Sequence, residues 1–392
     1  MLIKIGRKLA TSGVTNSIYK IYNPPTLIKI FFSILGMGKN NNFNSNLDSS
    51  GEQLCKTLQE MGTTFIKLGQ FLATRPDIIG ENLASDLEKL QDKLPPFSSE
   101  KAKSILREEL GNDNYNKIKN FSPPIAAASI AQVHFADITE NNKKKTVAIK
   151  ILRPEIEKIF NEELDALMLL AYFIETLVKK TKRLKLVETV FLLKEITNIE
   201  MDLRFEAAAA NELYENTKND IGFKVPKIYW NFTRKKILCL DKIEGTPIRQ
   251  IQDLKSKNID LEKLSKNIIQ HFLKQAVRDG FFHADMHQGN LFVNEMGDIV
   301  PVDFGIMGRL DKNNRKYLAE ILYGFILLDI MEITEIPIRA STGIRNPKKE
   351  NPTGMMTGVS KNLTFPGDRY SLNCLILIIR HTACKGRVIC RL

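Results

Sequence analysis

The 392-residue sequence lacks any run of the roughly 18 consecutive apolar residues that a membrane-spanning helix needs. Its best apolar stretches, ALMLLAYFIETLV and LNCLILII, are too short and are interpreted as buried helix or strand. The five cysteines show no paired spacing, which argues against a zinc site or a disulfide framework and indicates a reducing compartment. With one tryptophan and no recognition motif, the net charge of +12 does not predict a nucleic-acid partner.

Acidic residues are absent from residues 1–47, which contain six lysines and arginines. These cations are mixed with apolar residues, as in LIKIGRKLA and LIKIFFSIL, a pattern that fits a helix lying on an anionic membrane surface. A disordered basic arm fits equally well. A secretory signal would need a cleaner apolar block, and a transit peptide would be richer in arginine.

The rest of the chain alternates helical and β-rich patterns. Residues 38–52 form an Asn-rich linker, and helical patterns follow over about 53–94 and from Ser98 or Ser99 to a stop at Gly111. AQVHFADI and TVAIKIL then predict a β-hairpin, and VPKIYW and KILCLD predict two short strands after a helical stretch. Helix returns from Leu261, and FVNEMGDIVPVDFG predicts a last hairpin. This order predicts an α+β fold in two lobes.

Three short motifs carry polar residues suited to phosphate chemistry. Lys150 ends VAIK, where a strand would hold its ammonium group in place. Asp285 and Asn290 lie five residues apart in HADMHQGN, an irregular loop that can present a carboxylate as a base and an amide oxygen as a metal ligand. Asp303 lies in VDFG, where Gly305 is expected to permit a sharp turn. Because Mg²⁺ prefers oxygen ligands, Asn290 and Asp303 are the candidate Mg²⁺ ligands.

The order of these motifs is more informative than any one of them. Taken singly, Lys150 would be interpreted as a solvated strand-end residue, and a match as short as DFG also occurs by chance in some chains of this length. A strand lysine, an Asp with an Asn five residues on, and DFG after a hairpin follow the order of the protein-kinase signature and predict a nucleotide site. A competing interpretation makes His283, Asp285 and His287 the ligands of a transition metal, since alternate residues share one face of a strand. That interpretation leaves the lysine and DFG unexplained.

Two parts of the ordinary kinase signature are missing. No G-x-G-x-x-G precedes VAIK, and PPIAAASIAQVH takes its place, with alanines at 126–128 followed by Ser129. Alanine adopts positive φ less readily than glycine, so the predicted cover over the phosphates is stiffer. Ala284 stands where H-R-D would have its arginine.

With these departures the chain resembles the UbiB/ADCK atypical kinases, a group linked to ubiquinone biosynthesis. The resemblance spans about residues 51–330 and is carried by K-x-G-Q at Lys67–Gln70, the alanine-rich loop, VAIK, HADMHQGN and DFG. EMDLRFEAAAAN resembles the acidic helix motif of the family. The resemblance stops beyond about Asp329, where both a truncated or frameshifted reading frame and a genuinely short variant are open interpretations.

The resemblance implies a two-lobed protein-kinase-like fold with an N-terminal helical extension that folds over the nucleotide cleft. The predicted domains are a basic segment and linker (1–50), the K-x-G-Q extension (51–118), an N-lobe (119–245), a C-lobe (246–330) and an unassigned tail (331–392).

The resemblance also implies ATP and Mg²⁺ as cofactors and assigns roles to residues. Lys150 would contact the α/β-phosphates and pair with Glu206, or with Glu200 as second choice, and Asp285 would orient the attacking water or hydroxyl. Lys67 and Gln70 would face the phosphates, although taken alone Lys67 could be a solvated surface residue. Other nucleotide contacts are expected from Ala126, Ala127, Ala128, Ser129, Val133, Asp241 and Ile243.

The implied function is Mg-ATP binding and hydrolysis in support of ubiquinone biosynthesis. Anionic lipids and ubiquinone-biosynthesis enzymes are the expected partners. The expected location is peripheral, on the cytoplasmic face of a bacterial inner membrane or on the mitochondrial inner membrane. Two alternatives stay open: a phosphotransferase acting on a lipid or protein, and a non-catalytic nucleotide-binding chaperone of the biosynthetic enzymes.

Overall fold

The computed structural model describes residues 50–88, 90, 94–140, 143–177, 182 and 185–327. The predictions for residues 1–47 and 331–392 lie outside these described residues. The helices are α1 (Ser50–Met61), α2 (Thr63–Ala73), α3 (Pro76–Ile79), α4 (Glu81–Leu87), α5 (Ser99–Tyr115), α6 (Ile156–Leu177), α7 (Leu186–Glu200), α8 (Leu203–Thr217), α9 (Ile251–Ser256), α10 (Leu261–Leu273) and α11 (Lys312–Leu327). The strands are β1 (Ile118–Lys119), β2 (Pro124–Ala127), β3 (Ala131–Glu140), β4 (Lys143–Leu152), β5 (Ile237–Asp241), β6 (Thr246–Pro247), β7 (Phe281–His283), β8 (Leu291–Val293), β9 (Ile299–Pro301) and β10 (Met307–Arg309). This content confirms the α+β prediction.

The chain divides into two compact units. The first runs to Arg204 and includes Trp230–Cys239, and the second comprises Phe205–Tyr229 and the chain from Leu240 onward. The domain boundaries expected from the sequence stay a prediction.

A five-stranded sheet dominates the first unit, with strand order β1-β3-β4-β5 and β2 paired to β3. Strands β3 and β4 form the predicted antiparallel hairpin over ten residue pairs. Val147, Ile149 and Ile151 are fully buried, whereas the residues between them are half-buried, which is the alternation of a strand with one face on a core. The alternation puts Lys150 on the less buried face.

The K-x-G-Q motif lies in α2, among the short N-terminal helices. A Cβ added at Gly69 would lie 2.4 Å from Leu90 and 2.8 Å from Leu58, so the glycine allows these side chains to approach the α2 backbone. Helix α5 begins at the predicted cap, where the Ser98 hydroxyl accepts a hydrogen bond from the Lys101 amide at 3.4 Å. The helix is kinked at the predicted stop, Gly111, whose φ is +70°.

The second unit contains two small antiparallel sheets. One pairs β7 with β10, and the other has the order β6-β8-β9. Phe272, Ala276, Phe282 and Leu318 form a buried apolar cluster here, with Ala284 and Met286 packed against it. A π-helical turn over Lys274–Asp279 continues α10 and contributes Ala276 to this cluster. HADMHQGN therefore starts on a strand that is anchored in a core.

Two sequence expectations were wrong in part. VPKIYW forms no strand: it makes a single bridge, Ile228 to Leu240, and then enters a 3₁₀ turn at Trp230–Phe232, because Pro226 has no amide hydrogen for a ladder. ALMLLAYFIETLV is helical, as expected, but it is not buried throughout: Leu167 and Ala171 are buried, whereas Tyr172 and Phe173 are more than half exposed.

None of the helices in the described part of the chain is both long enough and apolar enough to cross a membrane.

Candidate functional site

The β8–β9 hairpin brings Asn290 alongside the DFG segment in the second unit. Leu291 pairs with Pro301, and one step further the Val302 amide donates to the Asn290 carbonyl at 3.0 Å. Asp303 follows Val302 directly. The two predicted Mg²⁺ ligands are therefore anchored by one backbone ladder, although they lie 13 residues apart in the sequence.

A second ladder ties the start of HADMHQGN to the end of DFG. His283 pairs with Met307, and the Ala284 amide donates to the Ile306 carbonyl at 3.1 Å. The loop that contains Asp285 is thus held at one end by β7–β10 and at the other by β8–β9.

Asp285 and Asn290 are joined directly across the loop. Asn290 Nδ2 donates to Asp285 Oδ2 at 3.2 Å and to the Asp285 carbonyl at 3.2 Å. Because the nitrogen makes both contacts, the amide oxygen of Asn290 is the atom suited to coordinate a metal ion. The Asp285 side chain is 40% exposed, so its carboxylate reaches solvent.

His283 holds the backbone around both aspartates. Its Nδ1 accepts from the Asp285 amide at 3.1 Å, and its Nε2 lies 2.6 Å from the Asp303 carbonyl, to which it therefore donates. Burial lowers the pKa of His283, the carbonyl contact notwithstanding, so the neutral ring that makes both bonds is favoured.

The competing transition-metal interpretation is wrong. Both ring nitrogens of His283 are used by the backbone, and His287 Nδ1 accepts from the Gly289 amide at 3.0 Å. Among the residues that the structure describes, no three His, Cys, Asp or Glu side chains are grouped so as to hold a metal ion.

The DFG turn is stabilised by its own aspartate. Asp303 Oδ1 accepts from the Gly305 amide at 2.9 Å. The turn at Gly305 is made without a positive φ; a Cβ there would lie 3.2 Å from this carboxylate oxygen, so the glycine permits a close approach. The amide before it, Phe304 N, donates to Glu206 Oε1 at 3.5 Å, and the Phe304 and Glu206 side chains are both buried.

Lys150 and Val133 face each other on β4 and β3 of the first unit. Directly opposite residues share one face of an antiparallel pair, so these two candidates lie on the same, less buried face of the hairpin.

The alanine-rich loop is a tight turn between β2 and β3. Ala126 and Ala127 belong to β2, where they pair with Val133 and Gln132, and the Ala128 amide donates to the Ala131 carbonyl at 2.8 Å. The side chain of Ser129, at the tip, is fully buried, and its carbonyl lies 3.4 Å from the Thr63 hydroxyl at the start of α2. The buried loop tip therefore contacts the first residue of the helix that carries K-x-G-Q.

Lys67 is paired with a carboxylate. Its Nζ lies 3.1 Å from Glu200 Oε2 and donates to Oε1 at 3.4 Å, and the two side chains are only 19% and 13% exposed. The alternative of a solvated surface lysine is thus wrong. Gln70 is half-buried one turn along the same helix.

Glu200 and Glu206, the two candidate partners of Lys150, have different contacts. Glu200 ends α7 and binds Lys67, whereas Glu206 contacts the DFG backbone within the second unit. The pairing of Lys150 with Glu206 stays a prediction.

Asp241 has a local structural contact. Its carboxylate accepts from the Tyr229 hydroxyl at 2.6 Å and from the Lys227 amide at 3.2 Å, which holds the irregular segment that was expected to be a strand. Ile243 is half-buried nearby in the sequence. Their expected nucleotide contacts stay predictions.

Two residues near the alanine-rich loop were missed by sequence reasoning. Arg153, immediately after β4, and Gln132, within β3, make side-chain bonds to backbone groups far away in the chain. An Arg before a Pro and a Gln in a strand carry no motif, so no local signal could have found them.

Comparison with known proteins identifies relatives over most of the chain. The model of the ABC1 atypical kinase-like domain matches residues 89–337. The protein named "Probable protein kinase UbiB" from Marinobacter nauticus is 37% identical over 321 residues, which cover 81% of this chain and 58% of that protein. The protein of the same name from Glaesserella parasuis is 38% identical over 290 residues, which cover 72% of this chain and 53% of that protein. The chain thus spans about half the length of the curated relatives it matches.

A solved structure shares the fold. The Rv3197–erythromycin complex from Mycobacterium tuberculosis aligns with a TM-score of 0.53 over 87% of this chain and 91% of that chain. At 22% identity the likeness shows a common architecture alone.

Proposed function

This chain belongs to the ABC1 atypical kinase-like family, and we propose that it binds ATP with Mg²⁺, hydrolyses it and thereby supports ubiquinone biosynthesis. The observation that carries the proposal is the pair of backbone ladders that brings the Asp285 loop and the DFG turn together in the second unit. The name of the curated relatives, probable protein kinase, supports the kinase-like part of the proposal. The link to ubiquinone biosynthesis rests on the resemblance to the UbiB/ADCK atypical kinases.

Asn290 and Asp303 are the residues that would hold Mg²⁺. The donor set fits this ion, because Mg²⁺ takes one or two protein oxygens and completes its shell with phosphate oxygens and water. The hydrogen bonds from Asn290 Nδ2 to Asp285 leave the amide oxygen to act as donor atom. When bound, the ion would neutralise charge on the phosphate oxygens.

Asp285 is the proposed residue that orients the attacking water or hydroxyl. Its amide is fixed by His283, and its Oδ2 is fixed by Asn290. One carboxylate oxygen is thus held while the side chain remains partly exposed, an arrangement suited to a group that must accept a hydrogen bond from a reactant.

The first unit would supply the nucleotide-facing groups. Lys150 would contact the α/β-phosphates, with Glu206 as its proposed partner, because Glu200 already binds Lys67. The stiff turn at Ala126–Ser129 would contribute backbone contacts, and Lys67 and Gln70 would influence nucleotide selectivity from α2.

The test is Mg-ATP titration and ATP turnover by wild type and Asp303→Asn. The substitution removes one charge and almost no volume, and we expect Mg-dependent affinity or turnover to fall about 100-fold, which corresponds to roughly 3 kcal/mol. Asp298→Asn is the matched control, since Asp298 lies in the β8–β9 turn and contacts Asn294 and Lys224. If folded Asp303→Asn binds and hydrolyses Mg-ATP like the control, the proposal is refuted.

The same titrations separate the acceptor classes. Phosphate release in the absence of any acceptor supports hydrolysis. If phosphate is transferred only to an added lipid or protein, the activity is phosphotransfer and the proposal of hydrolysis is wrong. Tight binding without turnover would leave a nucleotide-binding chaperone.

We also propose that the protein lies on an anionic membrane surface through residues 1–47. The support is the sequence alone: six cations, no acid and interspersed apolar residues. Deletion of these residues should weaken co-sedimentation with cardiolipin-containing liposomes and reduce its salt dependence, because exposed charges are screened over about 10 Å at 0.1 M salt. Equal co-sedimentation of the full and shortened chains at every salt concentration would remove this proposal and leave a basic arm.

A further inference from the structure

Arg153 makes an unusual set of side-chain contacts for a residue at a strand end. Its guanidinium donates to the Ala128 carbonyl through Nε at 3.0 Å and NH2 at 2.8 Å. It also donates to the Pro95 carbonyl through NH1 at 3.0 Å and to the Leu94 carbonyl through NH2 at 3.4 Å. The planar guanidinium group of Arg153 therefore joins the alanine-rich loop to a segment about 60 residues earlier in the chain.

The backbone of Arg153 reinforces this link. Its amide donates to the Ile130 carbonyl at 2.8 Å, on the other side of the same turn. Arg153 thus holds carbonyls on both sides of the tip residue Ser129, so the turn cannot shift as a whole without breaking bonds to this one residue.

Gln132 forms a second tie between the same two segments. Its Oε1 accepts from the Phe97 amide at 2.9 Å, and its Nε2 donates to the Phe97 carbonyl at 3.3 Å. Gln132 is fully buried, and the Arg153 guanidinium lies 5.9 Å from the centre of the Phe97 ring. Leu94–Phe97, which we call the connector, is therefore bound by both residues.

The connector has a particular place in the chain. It follows α1–α4, which include the K-x-G-Q helix, and it directly precedes the Ser98 cap of α5. On the loop side, the Thr63 hydroxyl of α2 approaches the Ser129 carbonyl at 3.4 Å. The alanine-rich loop is therefore bonded both to the K-x-G-Q helix and to the connector that follows α4.

We propose that Arg153 is a positioning residue that fixes the alanine-rich loop to the connector, and so sets the affinity for Mg-ATP. The proposal rests on the proposed nucleotide-binding function. A loop that is already ordered loses little conformational freedom when nucleotide binds, whereas a released loop must be ordered at the cost of affinity. The effect is expected on nucleotide affinity and little on the chemical step, because Arg153 acts through the loop backbone.

The decisive variant is Arg153→Lys, which keeps the charge but loses the planar fork that reaches several carbonyls at once. Arg234→Lys is the matched control: its guanidinium also donates to backbone carbonyls in the first unit, those of Trp230 at 3.2 Å and Thr233 at 2.7 Å. Amide hydrogen exchange at Ala126–Ile130 and at Phe97 is measured without nucleotide, and KM and kcat are measured with Mg-ATP.

We expect Arg153→Lys to raise exchange at both segments and to raise KM about tenfold, with kcat within about twofold of wild type. Arg234→Lys should change neither measurement. An unchanged KM in Arg153→Lys, or an equal rise in Arg234→Lys, would overturn the proposal and make Arg153 an ordinary structural residue.

A second variant and a measurement without nucleotide cover the cases in which Arg153→Lys does not fold or wild type does not bind Mg-ATP. If Arg153→Lys does not fold, Phe97→Leu removes the ring below the guanidinium with less disruption and should produce the same changes at smaller size; no change there overturns the proposal. If wild type binds no Mg-ATP, the proposed function fails. The hydrogen-exchange comparison still tests the tie between loop and connector, and unchanged exchange rejects it.

Discussion

The two units position their candidate residues in different ways. In the second unit, Asp285, Asn290 and Asp303 lie within one short stretch of chain and are fixed by backbone ladders between adjacent strands. In the first unit, Lys67 and Glu200 are 133 residues apart and meet through their side chains. Backbone ladders tolerate many side chains, whereas a side-chain contact depends on both partners. Substituting either Lys67 or Glu200 should therefore abolish their contact, whereas a ladder of the second unit should fail only where a new side chain blocks the close pairing of its strands.

Two glutamates only six residues apart make the contrast plain. Glu200 and Glu206 were alternatives for one role in the sequence, yet Glu200 belongs to the first unit and pairs with Lys67. Glu206 belongs to the second, where its carboxylate accepts from the DFG backbone. Proximity in the sequence did not make them interchangeable.

The largest effect is expected where a substitution breaks a ladder of the second unit. A Cβ at Gly308 would lie 2.3 Å from the Phe282 ring on the paired strand, within the buried cluster. Gly308→Ala should therefore lower the free energy of unfolding by about 3 kcal/mol through overpacking. Mg-ATP binding should weaken with it, because β10 follows DFG directly. Urea unfolding and nucleotide titration measure the two effects.

A compensating substitution provides the control for Gly308→Ala. Phe282→Leu removes the ring edge, so the double variant should be clearly less destabilised than the sum of the two single variants. Strict additivity would show that the ring contact is not what excludes a side chain at Gly308.

The next largest effect concerns the Lys67–Glu200 pair. Removing the ammonium leaves a carboxylate that is 13% exposed without this cation, so Lys67→Ala should cost about 2 kcal/mol of stability, and a double-mutant cycle with Glu200→Gln should show positive coupling. Nucleotide affinity or selectivity should also change, and we expect Lys67→Ala to gain self-phosphorylation relative to wild type. Gln70→Ala should act in the same direction more weakly, having no charge to lose. Superimposable titration curves for all three proteins would restrict Lys67 to stability.

How much the sequence predicts follows the same division. The β3–β4 hairpin, the β8–β9 hairpin and the adjacency of Asn290 to DFG were all foreseeable, because alternation and turn residues act over a few positions. The Lys67–Glu200 pair and the contacts of Arg153 were not, since no local pattern records which distant groups meet. VPKIYW has the β-prone residues of a strand but forms only one bridge, because Pro226 has no amide hydrogen to donate.

A smaller effect tests the packing around K-x-G-Q. Alanine is favoured over glycine in a helix by about 1 kcal/mol, but a Cβ at Gly69 would overlap Leu90 and Leu58 at a cost of roughly 1–3 kcal/mol. We expect Gly69→Ala to be destabilising by about 1 kcal/mol in urea unfolding, because the leucines can adjust in part. A stabilised Gly69→Ala variant would show that the motif glycine has no packing role.

The smallest expected effect is the loss of stability at acid pH that arises from buried histidines in each unit. In the first unit, burial lowers the pKa of His134, although the hydrogen bond to the Ser122 carbonyl opposes the shift. The ring accepts at Nε2 from Gln132 Nε2 at 2.8 Å, while its Nδ1 donates to Ser122, so a second proton would face another N–H donor. Burial also lowers the pKa of His271 and His283 in the second unit.

The sign of the pH dependence follows from these directions. Because the folded-state pKa of His134 lies below the unfolded value of about 6.5, the unfolded chain takes up its proton first as the pH falls. The stabilising contribution is therefore complete above this value and is lost as the pH falls toward the folded pKa. Urea midpoints measured from pH 7.5 to 5.5, at about half-unit steps, should fall less steeply for His134→Gln than for wild type. Burial of His271 and His283 in the second unit contributes to the slope that remains, in the same direction. Identical slopes for both proteins would show that His134 takes up no extra proton on unfolding, and that its ring is held to Gln132 and Ser122 without an acid-sensitive cost.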